Sequence, residues 1–231
     1  MKMNNMNIDT KIVTKIAIFF VLAFGLTFFL NTMPNPLATY GYKVNLNVGL
    51  GPFLAAIIVS FIYKAPLLLS LFSKIAWIRN IEFAGVAIFF AGSFVNEITA
   101  GKTNYMFIVF GIILALLYTL LEEAGWRMFL GKALEQYSFL TLFLLSTVLW
   151  FLWHYAFQDE NLLANPLNFL AMIAAGSAGM AQFYRLTKSW MIVALTHAVI
   201  SVNLPTIIIF LVAVIGLIRL QEAKVKRDEI I

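Results

Sequence analysis

The chain alternates between long apolar runs and short polar connections. A helix that crosses a bilayer needs roughly 20 mostly apolar residues, and eight runs approach that length. They cover approximately residues 12–30, 49–72, 83–98, 105–121, 139–157, 167–184, 190–202 and 205–220. No connection between them is long enough for a soluble domain. The pattern therefore predicts an all-α polytopic transmembrane bundle of about eight helices, forming one integral membrane domain over residues 1–231.

Composition narrows the class of protein further. Hydrophobic residues make up 62% of the chain and charged residues 12%, whereas about a quarter of an ordinary globular domain is charged. These values exclude a soluble globular enzyme, a disordered chain and a nucleic-acid-binding domain. The chain has no cysteine, which excludes disulfides, a thiol nucleophile and thiolate metal ligands.

The net charge of +5 is interpreted as topology, because Lys and Arg concentrate in cytoplasmic connections of membrane proteins. Most of them lie in the N-terminal segment, in the tail and in the connections after the second, fourth and sixth runs. The opposite connections hold only Lys43 and Lys102. This alternation predicts that both termini are cytoplasmic. The first run is interpreted as a retained span rather than a signal peptide.

A charged cluster follows the fourth apolar run, Glu122-Glu123-Ala124-Gly125-Trp126-Arg127. Ionisable groups at membrane depth are costly, so each one indicates a functional site. Glu123 and Arg127 are four residues apart and would face each other on a helix. Glu122 would point about 100° away without a partner in its own helix, which suits a general base. The other interpretation is a helix end at the interface, where the charges are solvated.

Imidazole chemistry must use His154 and His197, because the chain has only two histidines. His154 lies in an aromatic stretch near the end of a run, where an interfacial aromatic belt is the alternative explanation. His197 lies within a run, where the alternative is a structural hydrogen bond to a neighbouring helix. Straight spans would place Glu122 and His154 at different depths. Continuation of the fourth helix to about Leu134 would move Glu122 nearer the middle of the membrane.

Two other functions are possible on sequence grounds. Ala175–Gly179 has the look of a serine-nucleophile turn, which would make the chain a serine protease that uses Ser177 and His197. Small residues at that spacing more often allow close helix packing. A transporter could use the charged cluster as a proton or ion path, but internal repeats and broken helices in both halves, which are frequent in transporters, are not apparent.

Together these residues resemble the CPBP family of intramembrane proteases, which includes the type II CAAX prenyl endopeptidases and the Abi bacteriocin-processing or immunity proteins. The family pattern is E-E-x-x-x-R, then an aromatic residue followed by x-x-x-H, then H-x-x-x-N. The first motif is unbroken from Glu122 to Arg127. The second runs from Trp150 to His154, with Trp where Phe is usual. The third begins at His197 and has Ser201 where Asn is commonest. The resemblance covers about residues 105–204.

The resemblance implies an intramembrane endopeptidase, a hydrolase of the glutamate or metalloendopeptidase type. Glu122, helped by His154, would activate a water that attacks a peptide carbonyl. His197 and Ser201 would stabilise the oxyanion. Glu123 and Arg127 would orient these groups. The favoured mechanism requires no cofactor; a zinc ion held by Glu122, His154 and His197 is the alternative.

The resemblance also implies partners and a location. The substrate would be a peptide or a lipidated protein, either a CAAX-type prenylated protein or a bacterial leader or bacteriocin-like peptide. The protein would contact the lipid bilayer and no nucleic acid, and its small size favours a bacterial plasma membrane. The alternative function is a catalytically inactive membrane immunity or regulatory protein that binds a partner. The oligomeric state is not indicated by the sequence.

Overall fold

The computed structural model describes residues 9–64, 71–73, 75–158, 164–200, 208, 215 and 216. Within these residues the chain forms seven helices, a short 3-10 turn over Ala38–Tyr40 and no strand. The fourth helix runs over Tyr105–Glu123 and continues through a π-helical stretch, Ala124–Phe129, into Leu130–Ala133. The helices are α1 (Thr10–Asn31), α2 (Leu46–Ile62), α3 (Ala76–Thr99), α4 (Tyr105–Ala133), α5 (Phe139–His154), α6 (Pro166–Thr187) and α7 (Trp190–Ile200).

The predicted all-α membrane bundle is confirmed. Helices α1, α3 and α4 are long and apolar enough to cross a membrane, and α2, α5 and α7 are apolar but shorter. The seven helices correspond to the first seven predicted spans, although α2 ends at Ile62, well before the predicted end at residue 72. The predicted eighth span, 205–220, lies outside the described residues apart from residues 208, 215 and 216.

Helix α4 extends beyond its apolar run. It is 29 residues long, so the expectation that the helix continues to about Leu134 is confirmed. Every residue from Glu122 to Gly131 is buried, and a helix that is buried all round passes through the interior of a bundle. The π-helical stretch follows directly after the two adjacent carboxylates, and π turns inside α-helices are frequent at functional sites. The charged cluster therefore lies inside the protein rather than at a solvated helix end.

Close backbone contacts fix α2 between α1 and α4. A Cβ atom at Gly51 of α2 would lie 1.9 Å from the Oγ1 atom of Thr27 in α1. A Cβ atom at Gly125 of α4 would lie 2.7 Å from Cβ and 2.8 Å from the carbonyl oxygen of Pro52 in α2. Only glycine allows helices to approach this closely. On its other side α4 packs against α7, which also contacts α3 and α6.

One end of the bundle gathers polar groups from three segments of the chain. The backbone amide of Asp9 donates to the Tyr137 hydroxyl at 3.1 Å. Arg185 donates to the backbone carbonyl of Tyr137 at 3.4 Å, and Lys188 pairs with Glu135 at 2.7 Å. The start of α1, the end of α4 and the end of α6 therefore lie together. The charge pattern assigns these same three segments to one side of the membrane.

Candidate active site

The two helices that carry the first two motifs run to the same depth. Glu122 lies 11 residues before the end of α4 at Ala133, and Trp150 lies 11 residues after the start of α5 at Phe139. At 1.5 Å per residue each lies about 16 Å from its helix end. Because the turn between Ala133 and Phe139 is short, the two side chains meet. The extension of α4 to Ala133 thus brings Glu122 and the second motif together.

Glu123 contacts Arg127 on its own helix and His197 on α7, and the second contact joins α4 to α7. The Nη1 atom of Arg127 lies 3.1 Å from Oε2 and 3.3 Å from Oε1 of Glu123. The Nδ1 atom of His197, 74 residues further along the chain, lies 2.8 Å from the same Oε1 atom. Glu123 and Arg127 are both buried. The pairing expected from their four-residue spacing is present, and His197 completes a three-residue cluster.

Glu122 is held by neutral donors. The indole Nε1 atom of Trp150 donates to its Oε1 atom at 2.6 Å. Tyr118, one turn earlier on α4, also interacts with this carboxylate. Among the described residues Glu122 makes no direct ion pair, because Arg127 is directed to Glu123. Adjacent positions on one helix therefore give two different carboxylates, one compensated by a cation and one not.

His154 lies among aromatic rings inside the bundle. Its Nδ1 atom is 2.6 Å from the backbone carbonyl oxygen of Trp150. A carbonyl can only accept, so Nδ1 carries a proton and the neutral ring keeps its lone pair on Nε2. Its ring centroid lies 4.9–5.4 Å from those of Trp150, Trp153, Phe157 and Phe169. Since His154 is buried, a solvent-facing aromatic belt does not describe its surroundings.

Arg127 connects the cluster to α6. Its Nη2 atom donates to the Ser177 hydroxyl at 3.5 Å, and its guanidinium carbon lies 4.5 Å from the centre of the Trp150 ring. Ser177 is fully buried. A Cβ atom at the neighbouring Gly176 would lie 3.4 Å from the Trp150 ring. The small residues around Ser177 thus allow α6 to pack against the cluster, which was the alternative to a serine nucleophile.

A metal ion would find a different set of ligands from the one that the sequence suggested. The ligand atoms of Glu122, Glu123 and His197 lie within 4.8 Å of one another, and His154 is not part of this group. The Arg127 guanidinium already contacts both oxygens of Glu123, and the Nδ1 atom of His197 faces the same carboxylate. A zinc ion at these three residues would share Glu123 with the Arg127 guanidinium.

Two partners of Glu122 were not anticipated from the sequence. Tyr118 carries a signal that could have been used, because it is four residues before Glu122 and shares its helix face. The indole N–H of Trp150 carries none, since the motif requires only an aromatic ring there. The fourth predicted catalytic residue, Ser201, lies outside the described residues.

Comparison with known proteins gives one match. Residues 104–203 match the family described as type II CAAX prenyl endopeptidase Rce1-like. This segment holds all three motifs and covers less than half of the chain. It supports the resemblance to CAAX-type intramembrane endopeptidases, and with it a hydrolase that acts on a peptide or protein. No curated protein and no solved structure matches the chain.

Proposed function

We propose that this chain, whose residues 104–203 match the Rce1-like type II CAAX prenyl endopeptidase family, is an active intramembrane endopeptidase that uses Glu122 as its general base. One observation carries the proposal. Glu122 is a buried carboxylate with no direct ion pair among the described residues, and it lies within 4.8 Å of the His197–Glu123 pair. A proton acceptor and an electrophilic group are thus held side by side in a site with a low dielectric constant, where both act more strongly.

The hydrolysis follows from these groups. Glu122 takes a proton from a water molecule while the water oxygen forms a bond to the peptide carbonyl carbon, and the carbonyl electrons move to its oxygen. As the tetrahedral intermediate collapses and the C–N bond breaks, Glu122 returns the proton to the leaving amine. The lone pair on Nε2 of His154 accepts a hydrogen bond from the attacking water and so orients it.

His197 would stabilise the oxyanion from Nε2. Its Nδ1 atom faces a carboxylate, which can only accept, so Nδ1 carries a proton. Donation from Nε2 then requires an imidazolium, and Glu123 supplies the counter-charge at 2.8 Å. With Arg127 the cluster holds two carboxylates and two cations, which balance. Ser201, four residues after His197 in the sequence, is proposed as the second donor.

We propose that the reaction needs no metal ion. The support is the charge balance of the cluster and the contact of both Arg127 and His197 with Glu123. A metal ion on Glu123 would share the carboxylate with the Arg127 guanidinium and with His197. Chelation is therefore expected to leave activity unchanged.

The substrate is proposed to be a peptide bond close to the membrane, in a prenylated CAAX-type protein or in a bacterial leader or bacteriocin-like peptide. The proposed location is a bacterial plasma membrane. The polar end of the bundle around Glu135 and Tyr137 would face the cytoplasm, as would both termini.

The test is a cleavage assay on the protein purified in detergent, with a quenched farnesylated CAAX peptide and a panel of leader peptides. The variant Glu122→Gln keeps the shape and the acceptor oxygen but removes the base. It is expected to lower kcat/KM by about 1,000-fold. The matched control is Glu82→Gln, the same change at another buried carboxylate, which should keep kcat/KM within about threefold.

Two further arms complete the test. Chelator, with and without added zinc, is expected to change kcat/KM by less than about twofold. A large loss that zinc restores would overturn the metal-free mechanism. If neither wild type nor variant cleaves any peptide while a cellular phenotype survives Glu122→Gln, the inactive, partner-binding function is favoured instead.

A further inference from the structure

Trp150 contacts four residues of the candidate active site: Glu122, Arg127, His154 and His197. Its N–H donates to Glu122, its ring face carries the Arg127 guanidinium, and its backbone carbonyl binds Nδ1 of His154. Its ring also meets the His197 ring edge to face, at a centroid distance of 5.3 Å. Trp150 is itself buried. One side chain therefore contacts base, counter-ion and both imidazoles.

The indole N–H group of Trp150 binds Glu122, the carboxylate without a direct cationic partner among the described residues. At 2.6 Å this contact is at the short end of charge-assisted hydrogen bonds. A carboxylate without a fixed donor can rotate about its last side-chain bonds, because terminal sp³–sp² torsions have broad minima. Binding one oxygen, Oε1, fixes the plane of the carboxyl group. The lone pairs of the other oxygen, Oε2, then point in one preferred direction.

The ring face of Trp150 acts on the other carboxylate, Glu123, through Arg127. Because the guanidinium lies 4.5 Å from the ring centre, Arg127 is kept over the indole and reaches Glu123 and Ser177 from there. A cation over an aromatic face is attracted by the ring quadrupole. The ring face of Trp150 thus holds the cation that pairs with Glu123, and its N–H group binds Glu122.

We propose that Trp150 is a positioning residue for the reaction, which holds Glu122 for proton transfer through its indole N–H and keeps Arg127 on Glu123 through its ring face. This inference rests on the proposed function. The motif that these residues resemble usually has Phe at this position, and Phe could supply the face but not the donor.

The test separates the donor from the ring. Trp150→Phe keeps an aromatic face but loses the N–H and some volume. Replacement of Trp150 by 3-benzothienylalanine, in which sulfur stands for the N–H group, keeps the shape and loses only the donor. Both are expected to lower kcat by about tenfold or more while KM stays within about twofold. Equal losses in the two variants would assign the effect to the N–H.

A matched control is available one turn away. Trp153 is also fully buried, and its Nε1 atom donates to the Thr27 hydroxyl at 2.8 Å, away from the carboxylates. The same two replacements at Trp153 should lower thermal stability without the kcat-specific loss. If the benzothienyl replacement at Trp150 leaves kcat unchanged while Trp150→Phe lowers it, Trp150 only fills space and the inference is overturned.

A spectroscopic arm keeps this inference distinguishable from the proposed function. The N–H-sensitive indole band in ultraviolet resonance Raman spectra is compared between wild type and Glu122→Gln, with Trp150→Phe identifying the Trp150 component. A shift of that component in Glu122→Gln is expected, since the donor then faces an amide. Absence of a shift overturns the Trp150 inference even if peptides are cleaved. A shift without any cleavage counts against the proposed function alone.

Discussion

Two fully or almost fully buried carboxylate sites lie in this bundle, and they are built in opposite ways. Glu82 of α3 accepts the Ser73 amide at 2.9 and 3.0 Å and the Ser189 hydroxyl at 2.5 Å. Its partners are a backbone group and a hydroxyl at the ends of elements. Glu122 and Glu123 instead meet an indole, a guanidinium and an imidazole. Burial alone therefore does not identify chemistry; the partners do.

The location of the partners explains the difference. Ser189 precedes α7, and its hydroxyl also accepts the Ile192 amide at 3.0 Å, so it caps that helix. Glu82 thereby ties α3 to the start of the helix that carries His197. Glu82 therefore acts as a structural link between α3 and α7, whereas proton transfer is proposed for the Glu122–Glu123 cluster.

The largest effect is expected from breaking the ion pair of the cluster. Glu123→Gln leaves Arg127 buried with its charge uncompensated, and loss of one partner of a buried pair costs roughly 3–5 kcal/mol. An apparent Tm about 10 °C lower is expected in detergent, together with a large loss of activity. A double variant that removes both charges, Glu123→Leu with Arg127→Met, should recover part of the Tm that Glu123→Gln loses and none of the activity. Recovery of cleavage in that double variant would contradict the role given to the pair.

Removing the Glu82 carboxylate should have a smaller effect, and that effect should be on stability rather than on catalysis. Glu82→Ala leaves the buried Ser189 hydroxyl and the part-buried Ser73 amide without their acceptor. An unsatisfied buried donor costs about 1–3 kcal/mol, and the part-buried amide adds less. We expect a Tm lower by several degrees and, for the folded fraction, a kcat within about threefold of wild type. Thermal unfolding and cleavage are measured on the same preparation. A loss of kcat as large as that of Glu122→Gln would remove the distinction between the two sites.

Close backbone packing supports the cluster at Gly125. Gly125→Ala places a Cβ atom 2.7 Å from Pro52, and overpacking of this kind costs about 1–3 kcal/mol. Because the displaced residues include the π-helical stretch, kcat should fall with Tm. Gly179→Ala is the matched control, since nothing lies within 4 Å of its Cβ position. It should be neutral or slightly stabilising.

The smallest effect is expected at the partly exposed carboxylate Glu135. Hydrogen bonds from Lys132, and then from Lys188, hold the pKa of Glu135 below its usual value. A depressed pKa stabilises the folded state above the unfolded-state pKa, about 4.3, and that contribution is lost as pH falls through the lower folded value. Solvent screening limits it to less than about 1 kcal/mol.

The check for Glu135 is a comparison of Tm at pH 7 and pH 3. Glu135→Gln should lower Tm slightly at pH 7, and the difference from wild type should vanish at pH 3. A difference that persists or grows at pH 3 would mean that the side chain acts through packing rather than charge.

The sequence predicted the parts of this molecule that depend on local spacing. The all-α bundle follows from the apolar runs, the Glu123–Arg127 pair from its four-residue separation, and the continuation of α4 from apolar residues after Arg127. Glu82 could not be found, because its partner Ser189 is 107 residues away and Arg79 nearby makes it look interfacial. The Trp150 donor was missed since two helices must first be aligned in depth.

The π-helical stretch has a consequence for insertions and deletions in this gene. Between Glu123 and Leu130 the chain makes wider turns than an α-helix, so one residue more or fewer there changes the angular phase of everything that follows, at about 100° per residue. In a loop such a change alters only length. Here a change before Arg127 would turn Arg127 and the rest of α4 towards different neighbours. Composition and hydropathy would stay almost the same.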